Sequence, residues 1–181
     1  RDNHLNLTIF KDGDIRQCMT ANKKIKVAII GATGYTGLDL TLMLSNHPRV
    51  KIINLCATKN LGKKINFFDK RIKKHLPIIS SVKKINWNNL DLAFLSLPNG
   101  EAQKLIKSNY LKNKKLKFID LSADFRITNA AIYEKNYKIK HKAKDLISKT
   151  LYSIPELNKD NIKKFRIISN PGCYPTSIQI P

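Results

Sequence analysis

The chain has 181 residues, of which 42% are hydrophobic, enough for a domain with a packed core. No apolar stretch approaches the roughly 20 residues of a membrane span, and the start lacks a signal-peptide pattern, so we expect a cytoplasmic protein without a membrane partner. Three widely spaced cysteines, with no CxxC pair among them, argue against a disulfide framework and a zinc site, and we expect no metal.

The charge is strongly basic, with 34 lysines and arginines against 13 acidic residues and a formal net charge of +21. Such a charge is typical of nucleic-acid binding, so a non-enzymatic, basic binding module on a nucleotide fold stays open as an alternative. The excess is mostly lysine, is spread along the whole chain and does not alternate with aromatic residues as stacking platforms require. We therefore expect no nucleic-acid partner, and favour a small, phosphate-bearing ligand.

The first elements follow one another in a recognisable order. Residues 1–22 hold a single apolar segment and are predicted to be a disordered or non-native tail. Residues 25–30 form a continuous apolar run, typical of a strand buried on both faces. The glycine-rich sequence GATGYTG comes next, followed by a helix that is predicted to begin near Tyr35 and to be closed by Pro48.

Later segments continue the alternation of strands and helices. Strands are predicted at 50–57, 90–98, 116–123 and 164–169, and a helix at 100–111. Residues 59–90 are predicted to be irregular, with one short strand around 76–79. Residues 128–150 are predicted to form a polar helix and an exposed connection. The alternation indicates βαβ units, and therefore a Rossmann-like α/β domain with a mostly parallel sheet over residues 23–168.

The glycine-rich sequence fits G-x-x-G-x-x-G, a variant of the dinucleotide-binding fingerprint. Gly31 would end the strand in a tight turn, Gly34 would let the backbone approach a pyrophosphate, and Gly37 would allow close packing of helix on strand. Any tight turn selects glycine, but the position after a buried strand and before a helix favours a dinucleotide. The cofactor-binding residues predicted here are Gly31, Thr33, Gly34, Tyr35, Thr36 and Gly37.

The end of the second strand bears on the choice of cofactor. An enzyme that uses NAD usually carries Asp or Glu there to bind the ribose 2′-hydroxyl. This chain has no acid in that region and places Thr58 and Lys59 there, with Lys63 and Lys64 a little further on. Lysines are abundant throughout, so the missing acid is the stronger signal, and it favours NADP over NAD.

A single cysteine near the end of the sequence is the candidate nucleophile. Cys173 lies in SNPGCYPTS, after an apolar run, with Gly172 before it and Pro175 placed to enter a helix early. At a helix N-terminus the partial positive charge would favour the thiolate. A cysteine at the end of a strand is more often a packing residue. A nicotinamide site in the same chain shifts the balance towards thioester chemistry on an acyl phosphate, and Asn170 would orient a substrate carbonyl or brace the turn.

Four motifs in order resemble one family. GATGYTG, IDLSADFRI (119–127), YSIPELN (152–158) and SNPGCYPTS are similar to those of the N-acetyl-gamma-glutamyl-phosphate reductases of arginine biosynthesis. The resemblance runs from about residue 24 to 181. It implies NADPH-dependent reduction of N-acetyl-glutamyl 5-phosphate to the 5-semialdehyde, with Cys173 as the nucleophile. Aspartate-semialdehyde dehydrogenase, a related acyl-phosphate reductase, stays open as the alternative enzyme.

The resemblance also implies roles for other residues. The sequence SLPNG matches a cofactor loop and brings in Ser96 and Pro98, although Asn99 stands where the family commonly has histidine. Ser153 stands where glycine is usual. In the LSADFR segment, Ser122 and Arg126 are candidates for contacts to cofactor or substrate, and bracing of the loop is an equal alternative for both.

The catalytic base of the family is a histidine in a second domain that also forms a dimer interface. The histidines of this chain, at positions 4, 47, 75 and 141, all precede Cys173, and none is assigned as the base. The resemblance therefore implies an N-terminal fragment in which residues 169–181 begin an α+β substrate and dimerisation domain. It also implies that this piece alone is inactive, that the base lies beyond Pro181, and that the full-length protein is a homo-oligomer.

Overall fold

The computed structural model describes residues 23–180, apart from the side chain of Asn158, so the predicted N-terminal tail lies outside the described residues. The strands are β1 Ile25–Ile30, β2 Val50–Cys56, β3 Ile79–Ser80, β4 Leu92–Leu95, β5 Lys117–Asp120, β6 Thr150–Tyr152 and β7 Ile167–Ser169. The helices are α1 Tyr35–Ser45, α2 Glu101–Tyr110, α3 Ala130–Tyr137, α4 Lys144–Ile147, α5 Pro155–Ile162 and α6 Cys173–Gln179. Short 3₁₀ turns occur at Ile65–Phe67, Val82–Lys84 and Trp87–Asn89.

The seven strands form one sheet in the order β3-β2-β1-β4-β5-β7-β6, and each neighbouring pair is parallel. The prediction of an α/β domain with a mostly parallel sheet is therefore confirmed. The chain winds from β1 outward through β2 to β3 and then returns to β4 on the other side of β1. Ligands of such sheets bind beside the carboxyl ends of the strands at this reversal, which falls between β1 and β4.

The sheet is covered on both faces, as the continuous apolar run of β1 predicted. Ala28 and Ile30 belong to one buried cluster, and Val27 and Ile29 to the other. These four side chains are at most 3% exposed. Burial on both faces explains why β1 has no alternation of polar and apolar residues, because neither side of it meets water.

The prediction for residues 128–150 is wrong in part. Two helices, α3 and α4, occupy this segment, and Tyr133, His141, Ala143 and Leu146 are buried, so the connection is not simply exposed. Its lysines lie outward while these four side chains pack inward, a contrast that the lysine-rich composition hides.

The remaining differences concern strand lengths and one edge. The short strand predicted around 76–79 lies at Ile79–Ser80. The first strand has the predicted bounds, and the strands predicted at 50–57, 90–98, 116–123 and 164–169 are shorter than expected. The edge strand β6 was not predicted, because it has three residues and pairs only with β7.

Arg166 ties the end of α2 to the start of β7. Its guanidinium donates to the carbonyl oxygens of Leu116 (3.1 Å), Tyr110 (2.8 Å) and Asn113 (2.7 Å). It also lies 4.0 Å from the centre of the Tyr110 ring. These carbonyls belong to a helix end and its following turn, where helix carbonyls lack intrahelical donors.

We expect Arg166→Met to lower the free energy of unfolding by about 2–3 kcal/mol, because it removes donors from three partly buried carbonyls while keeping much of the side chain's length. Urea unfolding measures this loss. Arg166→Lys is the matched control. Its free energy of unfolding should lie between those of the wild type and the Met variant, because lysine keeps the charge but cannot reach all three carbonyls in one plane. Equal stability of the Met variant and the wild type would contradict the assigned role.

Candidate active site

The glycine-rich turn after β1 has the geometry that its sequence predicted at two of its three glycines. Gly31 has a φ of +86°, and a Cβ there would lie 1.8 Å from the carbonyl oxygen of Ser96. A Cβ on Gly37 would lie 2.1 Å from the carbonyl oxygen of Gly31. Both positions therefore need glycine to fit against neighbouring backbone.

Gly34 differs from the other two glycines. It caps the N-terminus of α1 with a φ of −77°, an extended conformation that any residue adopts. A Cβ there would meet only the Gly31 carbonyl oxygen, at an ordinary 3.5 Å. The protein itself does not require glycine at this position, whereas a ligand lying against the turn would. The residues of the turn therefore fit a dinucleotide pyrophosphate, and the neighbouring Tyr35 and Thr36 are exposed and accessible to it.

The loops after β4 and β5 interlock at the carboxyl edge of the sheet. Leu121 donates its N–H to Leu95 O (3.0 Å), and Ala123 donates to Oδ1 of Asn99 (3.3 Å). Ser96 is partly buried and lies against Gly31, while Pro98 is exposed. The structure thus brings Ser96 next to the glycine turn, and the Asn99 side chain bonds to the neighbouring loop.

Asp124 joins these two loops, and no sequence pattern had predicted its role. Its fully buried carboxylate accepts from the N–H groups of Gly100 (2.6 Å) and Gln103 (3.0 Å) and from the Tyr133 hydroxyl (2.7 Å). The first two donors belong to the N-terminus of α2, where a carboxylate is favoured by the helix dipole. Burial and the Asp124 carboxylate together raise the pKa of Tyr133 above its usual value.

His141 bonds to the backbone of Asp124 and is a structural residue. Its ring is 3% exposed and packs edge-on against Phe125 and Tyr133. Nε2 lies 2.8 Å from the carbonyl oxygen of Asp124, and Nδ1 accepts the N–H of Ala143. Because a carbonyl only accepts, Nε2 is the donor in its contact and Nδ1 the acceptor in the other. These contacts agree with leaving His141 out of the catalytic residues.

The other two described histidines lie at the opposite edge of the sheet. His47 follows α1 and accepts the N–H of Arg49, just before β2 begins. His75 lines a cleft together with Val50 and Lys51 at that same edge.

Cys173 lies at the carboxyl edge, as expected. It is exposed and is the first residue of α6, with Gly172 as the N-cap. Arg126 lies beside the segment that precedes Cys173. Its guanidinium donates to Asn170 O (2.9 Å) and to Leu121 O (3.0 Å). A Cβ on Gly172 would lie 2.9 Å from Nη1 of Arg126, so glycine leaves room for the guanidinium beside the thiol segment.

The other predicted substrate residues are used within their loops. Ser122 is 5% exposed, and its hydroxyl accepts the N–H of Asp124 (3.2 Å). The amide of Asn170 donates to Pro171 O (3.1 Å). Both contacts match the bracing alternative that the sequence left open.

Every residue of the loop after β2, from Thr58 to Lys64, is exposed, and the loop contains no acid. It is fixed at its base, because Gly62 donates to Ile79 O (2.8 Å) and Ile79 donates to Lys63 O (2.9 Å). The carbonyl of Cys56, at the end of β2, accepts the N–H of Gly31, so this lysine-bearing loop begins beside the glycine turn.

Asp120 ends β5 and is fully buried. Its Oδ1 accepts the N–H of Ser122 (2.9 Å), and its Oδ2 has no hydrogen-bond partner within residues 23–180. Burial is the main cause that raises the pKa of Asp120 to about 6, and the nearby carboxylate of Asp124 raises it further, while the contacts to Ser122 and the charge of Arg126 oppose the shift.

This raised pKa makes stability depend on pH. Because the folded-state pKa lies above the unfolded value, the contribution of Asp120 is fully present below about pH 4 and is lost as the pH rises through 6. Asp120→Asn removes the buried charge and should be more stable than wild type at pH 7.5 by up to about 3 kcal/mol, with no gain at pH 4. Urea unfolding of both proteins at several pH values measures the difference. A variant that is no more stable at pH 7.5 would contradict it.

Two features are absent from residues 23–180. No helix in this part of the chain is both long and apolar enough to cross a membrane. Within the same residues, no three or more His, Cys, Asp or Glu side chains group together as a metal site.

A sequence model for the NAD-binding domain of semialdehyde dehydrogenases matches residues 26–165. The chain therefore belongs to the semialdehyde dehydrogenase family, and the match ends before Cys173.

Two curated relatives are more specific. The chain is 39% identical to a probable chloroplastic N-acetyl-gamma-glutamyl-phosphate reductase of Arabidopsis thaliana, over 88% of this chain and 39% of that protein. It is also 39% identical to the N-acetyl-gamma-glutamyl-phosphate reductase of Afipia carboxidovorans, over 88% of this chain and 46% of the relative. These relatives confirm the resemblance that the motifs indicated. The chain spans less than half the length of either.

Solved structures agree on the fold. Aspartate semialdehyde dehydrogenase II of Vibrio cholerae has a TM-score of 0.59 at 19% identity, covering 86% of this chain and 44% of that one. The Candida albicans aspartate semialdehyde dehydrogenase, solved with NADP, has a TM-score of 0.54 at 18% identity, covering 84% and 44%.

Proposed function

We propose that this chain is the cofactor-binding part of an NADPH-dependent reductase that converts N-acetyl-L-glutamyl 5-phosphate to the 5-semialdehyde and phosphate. The observation that carries the proposal is the common edge of the sheet. The glycine turn after β1 and the exposed Cys173 after β7 both lie at the carboxyl ends of the strands, where ligands of this fold bind. The two curated reductases supply the choice of substrate.

The cofactor would lie over the glycine turn. Gly31, Thr33, Gly34 and the start of α1 would bind its pyrophosphate, and the loop at Ser96–Pro98 would border it at the neighbouring strand. The acid-free loop with Thr58 and Lys59 supports NADP, because exposed lysines favour a 2′-phosphate over a 2′-hydroxyl. When bound, the nicotinamide supplies the hydride.

Cys173 would act on the substrate as the nucleophile. Its thiolate attacks the acyl carbon, a thioester forms, and inorganic phosphate leaves with the electron pair of the broken C–O bond. Hydride addition to the thioester carbon and expulsion of the thiolate then give the aldehyde. The guanidinium of Arg126, fixed by two carbonyls behind Gly172, would stabilise the anionic phosphate, while Ser122 and Asn170 would hold the loops in place.

The test is a substrate comparison with the whole protein. We expect NADPH oxidation with N-acetyl-glutamyl phosphate and little with aspartyl phosphate, and we expect NADPH to be preferred over NADH. Preference for aspartyl phosphate would replace the proposal with the related dehydrogenase. A lack of turnover with both acyl phosphates, accompanied by DNA affinity that falls steeply with salt, would favour a nucleic-acid-binding module instead.

A further inference from the structure

Three buried side-chain oxygens lack a hydrogen-bond partner among the described residues, and all three belong to residues at the carboxyl ends of adjacent strands. They are Oδ2 of Asp120, Oγ of Ser153 and Oγ of Ser169. These residues end or directly follow the adjacent strands β5, β6 and β7, below the segment that leads to Cys173. An unpaired polar group in the interior costs free energy, so such a cluster calls for a physical explanation.

The sheet register pairs two of the three. Asp120 and Ser169 are Cα partners on neighbouring parallel strands. Neighbouring strands lie about 4.8 Å apart, and paired residues direct their side chains to the same face. Phe118 and Ile167, two residues earlier on each strand, belong to the same buried cluster, which confirms a shared face. The Asp120 carboxylate, whose Oδ2 lacks a partner among the described residues, and the Ser169 hydroxyl therefore lie on one face at paired positions.

Ser153 is placed differently. It directly follows β6, where Tyr152 is the Cα partner of Ser169, and it donates its N–H to Ser169 O (3.1 Å). Because side chains alternate along a strand, the side chain of Ser153 lies on the face opposite to Tyr152 and Ser169. It is as buried as Ser169 but is not positioned to reach Asp120.

We propose that the Ser169 hydroxyl and the Asp120 carboxyl form a cross-strand pair, bonded through one enclosed water, that positions the segment from Ser169 to Cys173. The pair tolerates both protonation states of Asp120, because the water donates to a carboxylate and accepts from a carboxylic acid. The charged groups that act on Asp120 are Asp124 and Arg126, and neither donates a hydrogen bond to Oδ2. A water would fit this role because buried waters bond to polar groups that are otherwise unsatisfied.

The backbone connects this pair to the thiol. Asn170 donates its N–H to Asp120 O (2.8 Å), so the chain leaves β7 bonded to the residue that Ser169 contacts. Asn170 O in turn accepts from Arg126, beside Gly172. Movement of Ser169 would therefore be transmitted to the segment that bears Cys173. Asp120 and Ser169 are therefore positioning residues. The effect of their pair on turnover rests on the proposed function, whereas the pair itself does not.

The test is amide hydrogen exchange in the whole protein. We expect Ser169→Ala to speed exchange at the Asn170 amide by about tenfold or more, within the range of coupling between contacting residues. Exchange at the Phe118 amide, which bonds to Arg166 O on the same pair of strands, should change little. Ser153→Ala is the matched control and should leave Asn170 unchanged. Asp120→Asn should also retain protection, because an amide can replace the carboxyl as a partner of the water.

Several results would overturn the inference. Equal acceleration at Asn170 and Phe118 would indicate general loosening rather than positioning, and an effect of Ser153→Ala as large as that of Ser169→Ala would remove the specificity. A high-resolution crystal structure of the wild-type protein gives an answer that needs no variant to fold. It should show one water within hydrogen-bond distance of both Oγ of Ser169 and Oδ2 of Asp120, and the absence of such a water would refute the pair. Since neither measurement depends on turnover, failure here and failure of the proposed reaction can be told apart.

Discussion

Cys173→Ser is expected to lower kcat of the whole protein by at least about a thousandfold, because it replaces the proposed nucleophile by a hydroxyl that remains protonated at neutral pH. Cys173 is exposed at the carboxyl edge of the sheet, so the substitution disturbs no packed core. NADPH oxidation with N-acetyl-glutamyl phosphate measures the effect. Binding of NADPH to the variant should be unchanged, since the glycine turn lies at β1 while Cys173 follows β7.

Cys56→Ser is the matched control for this substitution. Cys56 is 1% exposed, its Sγ lies 3.7 Å from the hydroxyl of Ser80, and burial raises the pKa of its thiol, so it is a packing residue. The Cys56 variant should keep most of its turnover, because a hydroxyl at this site can bond to Ser80. If Cys173→Ser retained more than about a tenth of the wild-type kcat, the thioester step would have to be abandoned.

The sequence predicted the parts of the site that depend on local backbone. The need for glycine at position 37 follows from its contact with the Gly31 carbonyl oxygen in the same turn, whereas the Ser96 carbonyl that crowds Gly31 comes from a distant loop. The place of Cys173 follows similarly from the strand before it and the Gly-Cys-Tyr-Pro order around it. Periodicity and turn chemistry are local signals, so these positions could be read without a structure.

The parts that sequence reasoning missed depend on distant contacts. Asp124 caps α2 from a loop more than 20 residues away, and His141 bonds to the Asp124 carbonyl across 17 residues. Asp120, Ser122 and Asp124 alternate from the last residue of a buried strand onward. Polar residues there signal a functional edge of a parallel sheet, but only the fold shows which of them face a ligand and which brace a loop.

The second large effect is expected at the glycine turn, where two substitutions of the same kind should act on different properties. Gly31→Ala should lower the free energy of unfolding by about 3 kcal/mol or more, because φ is +86° and the new Cβ would lie 1.8 Å from Ser96 O. Backbone atoms cannot rotate away as a side chain can, so β1 and the loop after β4 would have to separate. Urea unfolding measures this loss.

Gly34→Ala should leave stability nearly unchanged and weaken NADPH binding by at least about tenfold, the effect of losing roughly 1.4 kcal/mol of close contact. The φ of −77° suits alanine, and its Cβ would meet protein only at 3.5 Å. The methyl group would instead occupy the surface against which the pyrophosphate is proposed to lie. Titration of NADPH by fluorescence measures the affinity, and urea unfolding of the same variant checks that its stability is unchanged. Wild-type affinity in the Gly34 variant would show that the cofactor does not approach this turn, while a loss of stability as large as that of Gly31→Ala would show that glycine is required there by the fold itself.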